Sequence, residues 1–170
     1  MPTLILICGM AGTGKTTLAK ELARSRRAFR FCPDEWIRAV IRDESDKPEL
    51  DRLRDPVESL QWKMAQKLLC LDVSVILENG FWGKEERVKY RSEGTAIGAR
   101  VELYYLDVAK EQAWRRIERR NTELHDGSFR ITRREFDSWW TLFTPPDSEE
   151  IKCYDVYHHV KEAEKGEAPN

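Results

Sequence analysis

A segment near the N-terminus has the residue types and spacing of a phosphate-binding loop. Residues 9–16 read GMAGTGKT and match the pattern G-x-x-x-x-G-K-[ST] at every fixed position. Glycines allow the backbone N–H groups to surround phosphate oxygens, and the following lysine can reach the β- and γ-phosphates of ATP. A hydroxyl residue after that lysine can bind Mg²⁺. The predicted ATP-binding residues are Gly9, Met10, Ala11, Gly12, Thr13, Gly14, Lys15, Thr16 and Thr17, and Lys15 is also a predicted catalytic residue.

A carboxylate and a guanidinium follow the second apolar run of the chain. Asp34 comes directly after residues 29–33, and Arg38 lies four residues later, one helical turn away on the same face. Asp34 is predicted to orient or deprotonate an attacking hydroxyl group, and Arg38 to hold a polar or anionic part of the acceptor. A helix cap with a solvated ion pair has the same pattern, so the sequence leaves both interpretations open.

An acidic residue and two aromatic residues follow the third apolar run, residues 73–77. Glu78 stands where a carboxylate helps to hold Mg²⁺ or its waters, so Thr16 and Glu78 are the predicted metal ligands. An ordinary carboxylate at a strand end would have the same position. Phe81 and Trp82 are predicted to line the acceptor pocket, although aromatic residues here also cover the edges of sheets.

Residues 111–134 form the one clearly basic region, with seven arginines against four acidic residues. Arg115 and Arg119 share one helix face, and Arg116 and Arg120 share another, so one pair can face a nucleotide while the other is solvated. Arginines above the γ-phosphate stabilise the charge that develops in phosphoryl transfer. A solvated helix face has the same composition.

Apolar runs alternate with amphipathic segments along the chain. The runs at residues 3–8, 29–32, 73–77, 100–106 and 152–158 predict five strands. Among the intervening helices, one is predicted to begin at Asp55 and Pro56, and one at a capping box of Thr132 and Glu135. Residues 42–54 are predicted to form a surface connection. This alternation implies a parallel sheet covered on both faces, with ligands outside the carboxyl ends of its strands.

These motifs resemble those of a known kinase group. The phosphate loop, Asp34 with Arg38 and the arginine-rich segment are similar to those of the small bacterial P-loop kinases of the AAA_33 group. That group is related to polynucleotide 5′-hydroxyl kinases, zeta toxins and chloramphenicol phosphotransferase. One branch also has Gly-Phe-Trp after an acidic strand end, a charged stretch ending in Arg, and Phe-x-Pro-Pro-Asp, here at residues 80–82, 85–87 and 143–147. The branch usually has aspartate at the position of Glu78, and the resemblance covers about residues 3–150.

The resemblance implies a P-loop NTPase fold of three α/β/α layers around a five-stranded parallel sheet, with a short helical lid at about residues 115–134. It also implies that Arg116 and Arg120 are catalytic arginines of that lid. Residues 1–160 are expected to form a single domain and residues 161–170 a disordered tail. The predicted substrate-binding residues are Asp34, Arg38, Phe81, Trp82 and Arg87.

Length, charge and hydropathy exclude several classes of protein. The chain has 170 residues and a net charge of -1, so it fits one globular domain without an overall basic field for nucleic acid or anionic lipid. Its longest apolar run, residues 4–8, is far too short to span a bilayer, and no secretory signal precedes it. A cytoplasmic protein with no membrane partner is therefore expected.

The sequence predicts an ATP- and Mg²⁺-dependent kinase that phosphorylates a hydroxyl group of a small or medium-sized acceptor. Two alternatives stay open: a nucleotide-dependent ATPase or switch that moves a partner, and a kinase acting on nucleic-acid ends. A base, an acceptor arginine and a lid in one short chain favour the kinase over the switch. The near-neutral net charge favours a small molecule over nucleic acid, and no feature indicates an oligomeric state.

Overall fold

The computed structural model describes residues 1–43, 46–123 and 129–161, and it contains five strands and seven helices within these ranges. In chain order they are β1 (Thr3–Cys8), α1 (Lys15–Arg26), β2 (Phe29–Phe31), α2 (Pro33–Val40), α3 (Lys47–Cys70), β3 (Val75–Gly80), α4 (Lys84–Ala96), β4 (Arg100–Asp107), α5 (Lys110–Glu123), α6 (Arg133–Leu142), α7 (Ser148–Ile151) and β5 (Val156–Lys161). Across those three ranges, no helix combines the length and the apolar character that crossing a bilayer requires.

The five strands form one parallel sheet in the order β2-β3-β1-β4-β5. Strand β1 is central and pairs with β3 on one side and β4 on the other. Its residues from Leu4 to Cys8 are apolar and fully buried, as expected for a parallel strand with both faces covered. The predicted α/β architecture with a five-stranded parallel sheet is confirmed.

Alternate residues of the strands face separate apolar cores, because side chains of a strand point to opposite faces in turn. Leu4 faces the core under α3 and α4, which contains Trp62. Ile5 faces the core under α1, which contains Leu22. A smaller third core joins α5 to α6 around Phe136. These contacts fix the helices against the sheet and so fix the loops at the carboxyl ends of the strands.

Helix α3 begins earlier than the sequence predicted, so the expected surface connection is wrong for residues 47–54. Asp46 caps the helix by accepting a hydrogen bond from the Glu49 N–H at 3.0 Å, and Pro48 lies in the first turn. Asp55 and Pro56 repeat this signal inside the helix, which continues through them. Of two similar start signals, the first one in the chain begins the helix.

The C-terminal part also differs from the prediction. Strand β5 covers Val156–Lys161 rather than residues 152–158, because the chain turns at residues 152–155 after α7. Lys161 pairs with Asp107 of β4 and therefore belongs to the sheet, not to the expected tail. Residues 162–170 of that tail and residues 124–128 of the expected lid lie outside the described residues.

A buried ion pair between Arg87 and Glu150 joins α4 to α7. Arg87 Nε and Nη2 donate to the two carboxylate oxygens of Glu150 at 2.6 and 2.8 Å. Arg87 Nη1 donates to the carbonyl oxygens of Phe81 and Thr144 at 3.0 and 2.8 Å. Both side chains are at most 1% exposed. One guanidinium therefore holds together the loop after β3, the segment before α7, and α7 itself.

Replacing Arg87 with alanine should strongly destabilise the protein. The change leaves Glu150 as a buried charge without its partner, and breaking a buried pair in this way typically costs about 3–5 kcal/mol. Urea unfolding followed by tryptophan fluorescence measures the loss. Lys84→Ala is the control, because it breaks the exposed pair of Lys84 with Asp147 and should barely move the midpoint. Equal midpoints for the two variants would contradict the structural role of Arg87.

Candidate active site

The loop between β1 and α1 has a backbone suited to holding phosphate. Gly12 and Gly14 have φ angles of +80° and +96°, which glycine adopts without strain. A Cβ atom at Gly12 would lie 2.4 Å from the Ala113 carbonyl oxygen of α5, so a larger residue cannot fit there. Helix α1 begins at Lys15, and the unpaired N–H groups of its first turn carry positive potential. The loop therefore forms a site for anions at the carboxyl end of β1.

Lys15 lies against this loop with its side chain partly buried. Its Nζ donates to the Met10 carbonyl oxygen at 2.8 Å. Burial lowers the pKa of Lys15, while the charges of Asp34 and Glu78 act to raise it. Lys15 is thus within electrostatic reach of both acidic residues that the sequence analysis singled out.

Glu78 lies near the end of β3, close to the first turn of α1. Burial raises the pKa of Glu78, against the lowering effects of the Cys32 thiol, the Arg30 guanidinium and the Thr16 hydroxyl. Its Oε2 atom is buried and forms no hydrogen bond with the residues that the structure describes. A buried carboxylate oxygen in need of a partner, next to a hydroxyl group, fits Mg²⁺. Thr16 and Glu78 are adjacent, as the predicted metal site requires.

Arg30 of β2 is a site residue that sequence reasoning missed. Its Nη1 contacts Glu78 Oε1, and its Nη2 lies 2.6 Å from both carboxylate oxygens of Glu35. The Sγ atom of Cys32 and the carboxylates of Glu35 and Glu78 lie within 4.8 Å of one another, so Arg30 neutralises the acidic part of this cluster. The available signal was strand alternation, which turns Arg30 away from the core that holds Phe31.

Asp34 lies in the first turn of α2, where its carboxylate meets α3. Asp34 Oδ1 accepts a hydrogen bond from Arg54 Nη2 at 2.8 Å. Arg54 Nη1 lies 3.5 Å from Glu58 Oε1, one helical turn further along α3. Arg38 follows Asp34 by one turn of α2, and its guanidinium carbon lies 5.4 Å from the ring centre of Phe129. Sequence reasoning missed Arg54 because its segment was predicted to be a surface connection.

Helix α5 turns Arg116 and Arg120 towards the phosphate loop. Both side chains are partly buried, whereas those of Arg115 and Arg119 are exposed. Arg116 Nη1 lies 3.4 Å from the Gly12 carbonyl oxygen. Arg120 Nε is buried and forms no hydrogen bond within the described ranges; burial lowers the pKa of Arg120, and the charge of Asp34 raises it. An anion would supply the hydrogen-bond partner that the Nε of Arg120 lacks.

The other predicted substrate-binding residues do not all reach the cleft. Arg87 donates its hydrogen bonds to Glu150 and to backbone oxygens inside the protein. It therefore supports the wall of the cleft and does not line it. Phe81 is 1% exposed and packs edge-on against Tyr90. Trp82 is partly exposed, with its ring centre 5.8 Å from that of Trp139. Of these three residues, Trp82 is the one that a ligand could touch.

The family model AAA_33, described as an AAA domain, matches residues 4–146. The chain belongs to the AAA_33 family. The matched range includes the phosphate loop, Asp34, Glu78 and α5, so the resemblance seen in the sequence motifs is confirmed. Membership implies a nucleotide-binding P-loop fold. No curated protein of known function matches this AAA_33 chain.

Three solved structures are similar to this AAA_33 protein in fold. A presumed kinase from Chloroflexus aurantiacus has a TM-score of 0.75 at 18% identity, covering 99% of this chain and 92% of the other. Kti12 from Chaetomium thermophilum, in complex with ADP-AlF3, has a TM-score of 0.69 at 15% identity, with coverages of 96% and 91%. A gluconokinase from Sinorhizobium meliloti has a TM-score of 0.59 at 16% identity, with coverages of 94% and 82%. These likenesses show a common P-loop kinase-like fold.

The carboxyl group of Glu58 should make the stability of the protein depend on pH. Burial raises the pKa of Glu58 from 4.5 to about 7, although Arg54 acts against the shift. The native state therefore keeps a proton that the unfolded chain has lost. As pH rises from about 4.5 to 7, the free energy of unfolding should fall by on the order of 2–3 kcal/mol, and this contribution should level off above pH 7.

Glu58→Gln should remove that slope, because glutamine does not titrate. Urea unfolding of wild type and variant at pH 5 and at pH 7.5 measures the difference. Glu85→Gln changes an exposed glutamate of α4 and should keep the slope of the wild type. The assignment fails if wild type and Glu58→Gln lose the same stability between the two pH values.

Proposed function

We propose that the protein is a kinase that transfers the γ-phosphate of ATP to a hydroxyl group of a small acceptor. One observation carries this proposal: Asp34, Glu78 and the phosphate loop lie at the carboxyl ends of strands of one parallel sheet, where the charge of Asp34 acts on Lys15 and Arg120. A carboxylate at this edge, near the phosphate-binding lysine and near an arginine whose Nε has no hydrogen-bond partner among the described residues, has the position of a general base for an acceptor hydroxyl. The fold likeness to a gluconokinase supports the same type of reaction.

The proposed reaction uses each of these groups once. Lys15 and the loop N–H groups bind the β- and γ-phosphates. Thr16 and Glu78 would hold Mg²⁺, which when bound neutralises charge on the phosphate oxygens. Asp34 accepts the hydroxyl proton while the acceptor oxygen attacks the γ-phosphorus, and the bond from that phosphorus to the bridging oxygen breaks to release ADP. Arg120 stabilises the charge on the transferred phosphoryl group.

The charge pairing around the basic segment supports a small acceptor over a nucleic-acid end. Arg133 donates to Glu111 and to Asp137, so part of the positive charge is neutralised within the protein. Arg119 likewise lies 3.9 Å from Glu123. Two of the seven arginines of this segment thus have acidic neighbours within the protein, which reduces the positive charge available to the phosphates of a nucleic acid. An ATPase that acts without an acceptor is distinguished by the transfer assay that follows.

Asp34→Asn should bind Mg²⁺ and ATP nearly as well as wild type but transfer phosphate at least about 100-fold more slowly. Asparagine keeps the shape of the side chain but cannot take up the hydroxyl proton. The rise in Tm with ATP and Mg²⁺ measures binding. Labelled ATP, offered with metabolites, antibiotics and oligonucleotides, measures transfer.

Lys15→Ala is the reference for lost binding and should show little of the rise in Tm. Unchanged transfer by Asp34→Asn would reduce Asp34 to a helix cap. Hydrolysis of ATP that no acceptor in the panel stimulates would favour the ATPase over the kinase.

Arg120→Ala, and more weakly Arg116→Ala, should lower kcat far more than the affinity for ATP. A contact that forms fully in the transition state affects kcat and kcat/KM together, and loss of such an arginine costs on the order of 100-fold or more. Steady-state kinetics measures both parameters. Arg119→Ala is the matched control, since that side chain is 73% exposed on the same helix. If Arg120→Ala is as active as Arg119→Ala, α5 does not supply the transition-state cation.

A further inference from the structure

Arg54 places a guanidinium beside the candidate base from a different helix. It lies early in α3, and its Nη2 donates to Asp34 Oδ1 at 2.8 Å. Within the described residues, the hydrogen bonds of the Asp34 carboxylate go to Arg54, so Oδ2 is available to the acceptor hydroxyl. An acceptor that binds Oδ2 therefore has Arg54 as its neighbour.

The exposure of Arg54 separates it from an arginine with a purely structural role. The Arg54 side chain is 42% exposed, whereas that of Arg87 is fully buried with its donors bound to the protein. One N–H of Arg54 is used by Asp34, and the contact with Glu58 at 3.5 Å is long for a hydrogen bond. The Arg54 guanidinium is therefore not enclosed by the protein, and a molecule bound at Asp34 can contact it.

The charges around Asp34 divide into a nucleotide side and an acceptor side. Lys15 and Arg120 lie on the nucleotide side, where the phosphates of ATP would compensate them. On the acceptor side, the charge of Arg54 is opposed by the charge of Asp34. Burial raises the pKa of Glu58 to about 7, so Glu58 is only partly charged at neutral pH. Bound ATP therefore leaves Arg54 as a guanidinium beside Asp34 whose charge the nucleotide does not compensate.

We propose that Arg54 recognises the acceptor, and that the acceptor is a small molecule with a carboxylate or phosphate group close to the hydroxyl that is phosphorylated. This inference rests on the proposed kinase function. A planar guanidinium binds either anion through paired hydrogen bonds, which a neutral acceptor cannot offer. Arg54 would then set specificity, while Asp34 carries out the chemistry.

Matched acceptors test the inference directly. D-Gluconate and D-glucitol differ in a carboxylate, and D-ribose 5-phosphate and D-ribose differ in a phosphate. We expect the charged member of at least one pair to have a kcat/KM roughly 10- to 100-fold above its neutral partner, since a hydrogen bond to a charged group contributes on this scale. The pair that shows the difference identifies the anion as carboxylate or phosphate.

Variants in α3 test whether Arg54 causes the preference for the charged acceptor. Arg54→Gln should bring the ratio of kcat/KM between charged and neutral partners close to 1, while Arg54→Lys should keep part of it. Arg52→Gln is the matched control, because it removes an equal charge from a side chain on the same helix that is 72% exposed, and it should keep the full ratio. A merely structural role for Arg54 would lower both rates equally and leave the ratio unchanged.

The remaining outcomes separate this inference from the kinase proposal. Equal rates for charged and neutral partners in wild type, or a full ratio in Arg54→Gln, would overturn the role of Arg54 while leaving the kinase in place. If no acceptor is phosphorylated although ATP still raises Tm, the kinase proposal fails.

Isothermal titration calorimetry tests binding at the anion site separately from phosphate transfer. The protein is loaded with Mg²⁺ and a non-hydrolysable ATP analogue, so that the phosphate loop is occupied, and titrated with gluconate and ribose 5-phosphate. Binding to wild type and Arg52→Gln but not to Arg54→Gln supports the anion site. No binding to wild type overturns it.

Discussion

The parallel register of β3, β1 and β4 determines where chemistry can take place in this protein. Leu6 pairs with Leu77 on one side and Leu103 on the other, so the three strands end at the same edge of the sheet. Because β1 is buried on both faces, a shift of one residue would exchange the side chains of its two cores. The phosphate loop, Glu78 and the start of α5 meet because this register is fixed.

The charges of the cleft are balanced on one side and short of an anion on the other. Asp34 has Arg54 as its partner. By contrast, burial lowers the pKa of both Lys15 and Arg120, which means that the protein itself does not fully compensate these cations. Lys15 uses a backbone carbonyl oxygen as its hydrogen-bond acceptor. The phosphates of a bound nucleotide would supply the missing negative charge. Nucleotide binding would therefore stabilise the charged forms of Lys15 and Arg120, which burial disfavours.

Local patterns in the sequence were sufficient to find the phosphate loop and strands β1 to β4, because each is marked by its immediate neighbours along the chain. The arginines that hold the acidic residues could not be found in this way. Arg54 is 20 residues from Asp34, and Arg30 is 48 residues from Glu78. Arg87 was assigned to substrate because a charged residue in a motif does not reveal burial, which depends on how α4 and α7 pack.

The site therefore depends on a helix cap that has no chemistry of its own. Asp46 begins α3 early enough for Arg54 to lie within the helix rather than in a surface connection. A cap of this type contributes about 1 kcal/mol, which is small for the whole protein but acts on the turns just before Arg54. Helix geometry then directs the Arg54 guanidinium to Asp34 and holds it there without burying it. The acceptor side of the cleft is thus positioned by tertiary packing, whereas the phosphate loop is specified by local sequence.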